Sequence, residues 1–472
     1  MATLYTLLAE SLEEQLRSGV FQANEKLPSL RKFAEQRSVS ISTAQMAYNQ
    51  LEDRGLIEVR PKSGYYVRHI SNVQFETPKI KVSPQKPNIV TTSELVMDVM
   101  RNSGNPNYVN FAAASPGTDF PILQQVKKSF TQTARNRDFL GNGYCLTKGE
   151  ECLRRALAQR ANDAGIRITP EEIIISSGCQ SAIGLCLKVL CKPGDIVAVE
   201  SPSYYGLLQL IESMGLKVIE LPSDPVTGLS VDALRLALEQ WPVKTILGVP
   251  NYNNPLGAVM PIESKKAVIE LINQYQISFI EDDIYGELGY DESRPPAVKA
   301  YDSEGRVLLC SSASKMLEPQ LGVGWIMPGQ FMKEIEYERF LSSSNQFCLP
   351  QIVIGETMAK ASFDRHIRQA RKTYQQRRDR LFDLISAHFP ENIRVSTPQG
   401  GFVAWIELPR SLDATDLYLR AKEVGIVISP GAIFSSNPSK YKHSIRLSYA
   451  QAWTKERDQA IQTLGNLINA TL

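Results

Sequence analysis

Cys310-Ser311-Ser312-Ala313-Ser314-Lys315-Met316-Leu317-Glu318-Pro319-Gln320-Leu321-Gly322-Val323-Gly324-Trp325 opens at the end of an apolar run, Val307-Leu308-Leu309-Cys310, that reads as a buried strand. A lysine follows at once, among small hydroxyl residues. An ammonium so close to a core strand is partly desolvated, which lowers its pKa and makes Lys315 a candidate amine nucleophile. Taken alone, the same letters describe a loop with a surface lysine. Gly322-Val323-Gly324 is not a dinucleotide loop, because a strand follows it rather than a helix. The surroundings of the stretch decide between the readings.

Upstream, strand and helix patterns alternate. Residues 172–176, 196–200, 216–221, 245–249 and 278–281 read as β, and 178–190, 204–214, 231–239 and 263–274 read as helical. This alternation implies an α/β domain, a mostly parallel sheet with helices on both faces. From about residue 349, two long helical patterns lead to β-rich segments at 401–407, 425–428 and 444–448. With a last helix from Thr454 these read as a smaller C-terminal α+β lobe.

Functional groups in such sheets lie just beyond the C-terminal ends of the strands, and the informative segments fall there. Ser177-Gly178-Cys179-Gln180-Ser181-Ala182 opens a helix, whose free amides suit a phosphate. Ser201-Pro202-Ser203-Tyr204-Tyr205-Gly206 puts an aromatic at a strand exit. Pro250-Asn251-Tyr252-Asn253-Asn254-Pro255-Leu256-Gly257 and Glu281-Asp282-Asp283-Ile284-Tyr285 follow, and the Lys315 stretch closes the set. Each has an ordinary explanation by itself: Asn-Pro-Leu-Gly is a turn, and paired acids are commonly solvated.

In this order the set resembles the fold-type I aminotransferases that use pyridoxal 5′-phosphate (PLP), over roughly residues 94–472. The resemblance implies a role for each matching position. Lys315 is similar to the lysine that bonds to PLP as a Schiff base. Asp282 matches the aspartate that keeps the pyridine nitrogen protonated, so that the ring acts as an electron sink. Asn254 and Tyr285 match the pair that hydrogen-bonds the ring's phenolic oxygen, and Tyr204 the aromatic stacked on the ring. Cys179, Gln180, Ser312 and Ser314 match the phosphate cradle. Tyr144 resembles a tyrosine that reaches across to the phosphate of a second copy. Arg446, in Ser444-Ile445-Arg446-Leu447-Ser448, matches the arginine that clamps a ligand α-carboxylate, a bidentate task suited to guanidinium.

The first seventy residues have a different pattern. Leu4, Leu7, Leu8, Leu12 and Leu16 fall on one helical face, and Gly19 stops that helix. Pro28 and Ser29 open a second helix, with Leu30, Phe33 and Ala34 inward and Arg31 and Lys32 outward. Ser42 caps a third helix with Ala44, Ala47, Tyr48 and Leu51 on its apolar side, and Gly55 ends it. Residues 56–60 and 65–68 alternate around Pro61-Lys62-Ser63-Gly64, a hairpin turn. The succession is an N-terminal winged helix-turn-helix. Ser42, Thr43 and Gln45 lie where a recognition helix reads base edges, and Arg60 and Lys62 suit a wing on phosphate or in the minor groove. The competing reading is a small helical dimerisation module; the flanking Arg31, Lys32, Arg60 and Lys62 favour DNA.

This module resembles the GntR family of bacterial regulators. The resemblance rests on Glu25-Lys26-Leu27-Pro28-Ser29-Leu30-Arg31, Val39-Ser40-Ile41-Ser42-Thr43, Leu51-Glu52-Asp53-Arg54-Gly55-Leu56-Ile57 and Ser63-Gly64-Tyr65-Tyr66-Val67. A GntR-type reader fused to an aminotransferase-like domain is the plan of the MocR-type regulators, which the chain resembles from end to end. That implies domains at 1–70 and 94–472, a homodimer, double-stranded operator DNA as partner, and an amino acid or small amine as effector. Between them, residues 71–93 carry Pro78, Pro84 and Pro87 among lysines and read as a mobile tether. The chain departs from the subgroup's Ser-Lys-x-x-x-Pro-Gly-Leu-Arg-x-Gly pattern: Gly322 stands where a phosphate-binding arginine is expected, and Gln320 replaces a glycine.

Composition bounds these readings. At 472 residues the chain exceeds one ordinary core. A net charge of +2 is compatible with DNA binding, because only the contact face of the reader must be basic. Seven cysteines without a Cys-x-x-Cys, and four scattered histidines, argue against zinc and suit a reducing cytoplasm. Apolar runs are too short for a membrane span, and Glu10, Glu13 and Glu14 do not fit a secretory signal. Three functions follow: a PLP-dependent sensor that regulates transcription, a working aminotransferase with a DNA-binding module, or a regulator that has lost the cofactor. Gly322 is the only support for the third.

Overall fold

The computed structural model describes residues 3–18, 20–60, 63–68, 71, 73–79, 86–88, 93–136, 147–291, 293–343 and 346–472. Lys62 and Tyr144 lie outside the described residues.

The reader consists of helices Leu4–Arg17, Leu30–Gln36 and Ile41–Asp53, followed by the antiparallel hairpin Ile57–Arg60/Gly64–Val67. Its core gathers Leu12, Leu16, Phe33, Ala47, Leu51 and Val67 around Tyr48. The Tyr48 ring contacts Phe33 and Tyr65, and its hydroxyl donates to the Pro28 carbonyl at 3.0 Å. Two expectations are corrected. Leu4 and Leu7 are 57% and 51% exposed, because the buried stripe of the first helix passes through Ala9, Leu12 and Leu16. The cap of the third helix is Ser40, not Ser42. Ser40 has extended backbone and its Oγ accepts from the Thr43 amide at 3.1 Å, which leaves Ser42 in the first turn.

In the large domain an eight-stranded sheet runs in the spatial order Ile174–Ser176, Gly324–Met327, Val307–Ser312, Ser278–Asp282, Val243–Gly248, Ile196–Ser201, Lys217–Asp224, Gly228–Leu229. The run from Val307–Ser312 to Lys217–Asp224 is parallel throughout. Gly324–Met327 is antiparallel to both neighbours, so the short return after Gly322 brings the chain back alongside Ile174–Ser176. The smaller lobe is an antiparallel sheet of Arg394–Val395, Val403–Glu407, Ser444–Ser448 and Ser429–Pro430. Val109–Asn110 pairs with Ile426–Val427, so an early segment is built into this late lobe.

The stretch read as a mobile tether is fastened where it is described. The Glu76 carbonyl accepts from the Val395 amide at 3.0 Å, Phe75 meets Phe382 edge-on, and Asn88 exchanges two backbone hydrogen bonds with Val218. Free sheet edges supply these partners. The reader packs against the long helix Ala361–His388: Lys372 Nζ lies 3.4 Å from Asp53, and the Gln376 amide oxygen accepts from Arg68 at 2.8 Å.

Candidate cofactor site

Seven chain segments line a cavity of about 280 Å³, five of them at the exits of strands of the large sheet. Lys315, Asp282, Asn254, Tyr285 and Tyr204 all line it. So do Cys179, Gln180, Ser312 and Ser314, so the positions singled out for the cofactor come together.

Lys315 follows the strand Val307–Ser312 in a turn, and its Nζ donates to the Ala114 carbonyl at 2.6 Å. Burial, with help from the Arg446 guanidinium, pulls its amine down to about 8, against the pull of Asp282. Asp282 ends the neighbouring strand. Burial pushes its carboxyl up to about 6, opposed by hydrogen bonds to Oδ1 from the Cys179 thiol at 3.3 Å and the Ile284 amide at 3.1 Å. Cys179 thus faces the carboxylate rather than the helix mouth, which narrows its place in a phosphate cradle to its backbone amide.

The Tyr285 hydroxyl is buried without a hydrogen-bond partner among the described residues, an exception that a ligand in the cavity would satisfy. Gly178, at φ +102°, caps the helix Cys179–Leu190, and a Cβ there would meet no atom of a described residue within 4 Å. The open space lies over amides with no intrahelical acceptor. Ser312 and Ser314 line the same cavity.

Arg446 departs from expectation. It is fully buried and does not line the cavity. Its Nη1 donates to Asn254 Oδ1 at 3.2 Å, and its Nη2 to the Ala112 carbonyl and to Ser429 Oγ at 3.0 Å, while Nε has no partner among the described residues. It stands directly behind Asn254, stacked at 5.3 Å on the Phe434 ring.

Gly322 has φ +59° and ψ 34°, and a Cβ there would meet no described atom within 4 Å. The left-handed backbone is a reason for glycine at this position. Among the described lining residues only Lys315 and Asp282 carry charge, so no fixed cation faces the phosphate end.

Sequence reasoning passed over the segment after Val109–Asn110. Ala113, Ala114 and Ser115 line the cavity, and Ala112 and Ala114 offer carbonyls to Arg446 and Lys315. Main-chain acceptors leave no mark in residue type. Met100 and Tyr205 also line the cavity and were not anticipated.

In the reader, Arg31 and Lys32 are exposed. Ser42 and Thr43 lie in the first turn of Ile41–Asp53, both hydrogen-bonded to Ser40 Oγ. Gln45 Nε2 donates at 2.7 Å to Asn49 and to the Tyr65 hydroxyl. Arg60 binds Glu58 and Asn24 and lies 4.2 Å over the Tyr66 ring. The wing arginine is therefore held in place by contacts within the reader itself.

Comparison with known proteins agrees with both halves. Residues 4–67 match the family of bacterial regulatory proteins called gntR, and residues 106–464 match aminotransferase class I and II. The chain is 38% identical to the uncharacterized HTH-type transcriptional regulator YjiR of Escherichia coli, over 99% of each chain. To the uncharacterized HTH-type transcriptional regulator YdcR of the same organism it is 34% identical, again over 99% of each. Among solved structures, Pyrococcus horikoshii kynurenine aminotransferase superposes with a TM-score of 0.74 at 27% identity, covering 81% of this chain and 96% of that one. PLP is the cofactor of class I and II aminotransferases. The orphaned Tyr285 hydroxyl, the buried Asp282, the open helix mouth at Gly178 and the depressed Lys315 amine fit it.

Proposed function

Because the chain belongs to the MocR-type GntR regulators, in which a DNA-reading module is joined to a class I/II aminotransferase domain, we propose that it is a DNA-binding transcriptional regulator sensing an amino acid or related small amine through PLP. PLP, when bound, supplies an electrophilic carbon for an amine and an electron-withdrawing ring. The chain's own groups do the rest. Lys315 supplies the amine that holds the cofactor. Asp282 keeps a proton on the ring nitrogen, Asn254 and Tyr285 orient the phenolic oxygen, and Tyr204 packs the ring face. The amides after Gly178 and the hydroxyls of Ser312 and Ser314 hold the phosphate. Arg446, freed from Ala112 and Asn254, pairs with the effector carboxylate.

The observation that carries the reading is the double contact of helix Ala361–His388. His366 Nε2 hydrogen-bonds the Met316 carbonyl at 2.7 Å, one residue from Lys315, and Lys372 and Gln376 on the same helix hold the reader. A change at Lys315 therefore has a rigid element through which to move the reader, provided the effector binds the two arrangements unequally. The test is operator binding by PLP-loaded protein with a panel of amino acids and amines, with ketoacid assayed in parallel. An effector-dependent change in affinity without ketoacid supports the proposal. Ketoacid formation with unchanged operator binding identifies the protein as an aminotransferase.

The working form is a homodimer in the cytoplasm. Tyr337, Phe340 and Leu341 on helix Met332–Ser342, with Phe347 beyond it, are exposed apolar residues that a second copy would cover. No helix among the described residues is long and apolar enough to cross a membrane.

Two predictions arise here. Lys32→Ala, which removes one phosphate contact, is expected to flatten the log–log salt dependence of operator binding by ~0.9. Thr43→Ala and Gln45→Ala are expected to alter sequence preference instead. Competition binding with operator variants across a salt series separates the two effects, and equal binding by the 71–472 fragment would refute the assignment. Gly322→Arg is expected to tighten PLP binding by roughly ten- to over a hundredfold, the worth of one charge-assisted hydrogen bond. Strain from a side chain at φ +59° opposes this gain. Apo-protein melts measure that strain, and PLP titrations of both apo-proteins measure the gain. Equal affinities with equal apo stability would mean that another group already supplies the charge.

A further inference from the structure

A second hollow, of about 300 Å³, lies between the reader and the long helix, away from the cofactor cavity. Arg68 from the base of the wing and Arg365, Arg368 and Lys372 from helix Ala361–His388 line it, with the Thr373 hydroxyl and the Gln376 amide. No carboxylate is among its described lining residues. Arg365 and Arg368 are exposed and form no ion pair with a described residue. Lys372 has a 3.4 Å contact to Asp53, and Arg68 one of 3.7 Å to Glu58.

Arg365, Arg368 and Lys372 fall at i, i+3 and i+7, a single helix face on which like charges repel. Arg68 adds a fourth cation from another domain. Asp53 and Glu58 offset two of these cations, and an anion in the hollow would offset Arg365 and Arg368 as well.

We propose that this hollow binds a small anion carrying two or more phosphate-type charges, and that the anion clamps the reader onto the long helix. Guanidinium forks and a hydroxyl are the groups that recognise phosphate. Arg68 is contributed by the reader and the other three cations by the large domain, so the full site exists only while the two are docked. The anion binds that state more tightly and stabilises it. The DNA backbone is a less suitable occupant. Asp53, at the C-terminal end of the recognition helix, marks the junction, and Thr43 lies ten residues earlier, ~15 Å away along the helix axis. The base-reading end therefore points away from the hollow.

The experiment uses full-length, PLP-loaded protein and inorganic pyrophosphate, titrated calorimetrically at constant ionic strength. Saturable binding is expected, weakened by roughly tenfold or more in R365Q/R368Q and in R68Q, the loss typical of a charge-assisted hydrogen bond. PLP content should be unchanged in each variant, which separates failure here from failure of the sensing proposal. Absence of saturable binding, or equal affinity in wild type and variants, overturns the inference. A fall in the salt slope of operator binding by ~0.9 per removed contact in R365Q/R368Q, without pyrophosphate binding, also overturns it and gives the hollow to the DNA backbone.

Discussion

Lys315→Ala is expected to leave no PLP that borohydride can fix to the protein, whereas wild-type protein yields an adduct that peptide mapping places on Lys315. The side chain is buried, lines the cofactor cavity, and is held at the Ala114 carbonyl at 2.6 Å. Its amine is lowered to about 8, so a substantial fraction is the free base at mildly alkaline pH, where an ordinary lysine is still protonated. PLP capture by the wild-type apo-protein should therefore accelerate as pH rises through about 8 and level off above it. Stability carries the same signature. Between about 8 and the ordinary lysine value near ~10.4, the unfolded chain binds a proton that folded Lys315 does not, so apo stability gains from this group as pH rises. Lys265 is also lowered to about 8, and the wild-type curve alone cannot separate the two lysines. The difference between wild type and Lys315→Ala isolates the Lys315 contribution. An adduct on another lysine, or none in PLP-saturated wild type, would sink the assignment.

Arg446→Ala is expected to abolish or strongly weaken the effector response. Losing one partner of a buried, hydrogen-bonded ion pair costs roughly 2–5 kcal/mol, or about thirtyfold to several thousandfold in effector affinity. The buried position adds a second effect. Truncation leaves Asn254 Oδ1 without the guanidinium, at ~1–3 kcal/mol for an unsatisfied buried group, while the Ala112 carbonyl keeps the hydrogen bond donated by Ser429 Oγ at 3.2 Å. Thermal melts and PLP content must be read alongside. Arg446→Lys keeps a charge with less disruption but loses the fork, and should weaken the response to carboxylate effectors while sparing simple amines. A wild-type response curve from folded Arg446→Ala protein would turn the search toward effectors without a carboxylate.

The two-part architecture was legible in the residues because each part rests on local signals. Caps, apolar periodicity and a hairpin turn specify the reader, and alternating strand and helix patterns specify the sheet. Lys315, Asp282 and Asn254 were legible as well, because a parallel α/β sheet delivers its strand ends to one edge whatever lies between them. The first helix shows where local reading stops. Its leucines share one broad helical face, and only packing against Tyr48 and its neighbours selects which part of it, Ala9, Leu12 and Leu16, is buried.

Tertiary structure alone decided the rest. Ala114 meets Lys315 across 201 residues of chain, and Ala112 meets Arg446 across 334, both through carbonyls that every residue possesses. The withdrawn position of Arg446 depends on what fills the space around it, not on its own motif. The fastening of residues 75–79 and Asn88 depends on sheet edges formed hundreds of residues later or on another strand. The basic hollow at Arg68, Arg365, Arg368 and Lys372 joins two domains whose charges are unremarkable in either sequence segment. By themselves the residues determine which chemistry each element can carry. Which groups face one another is set by long-range packing, because contacts between distant segments are chosen by the whole fold and not by the residues flanking either side.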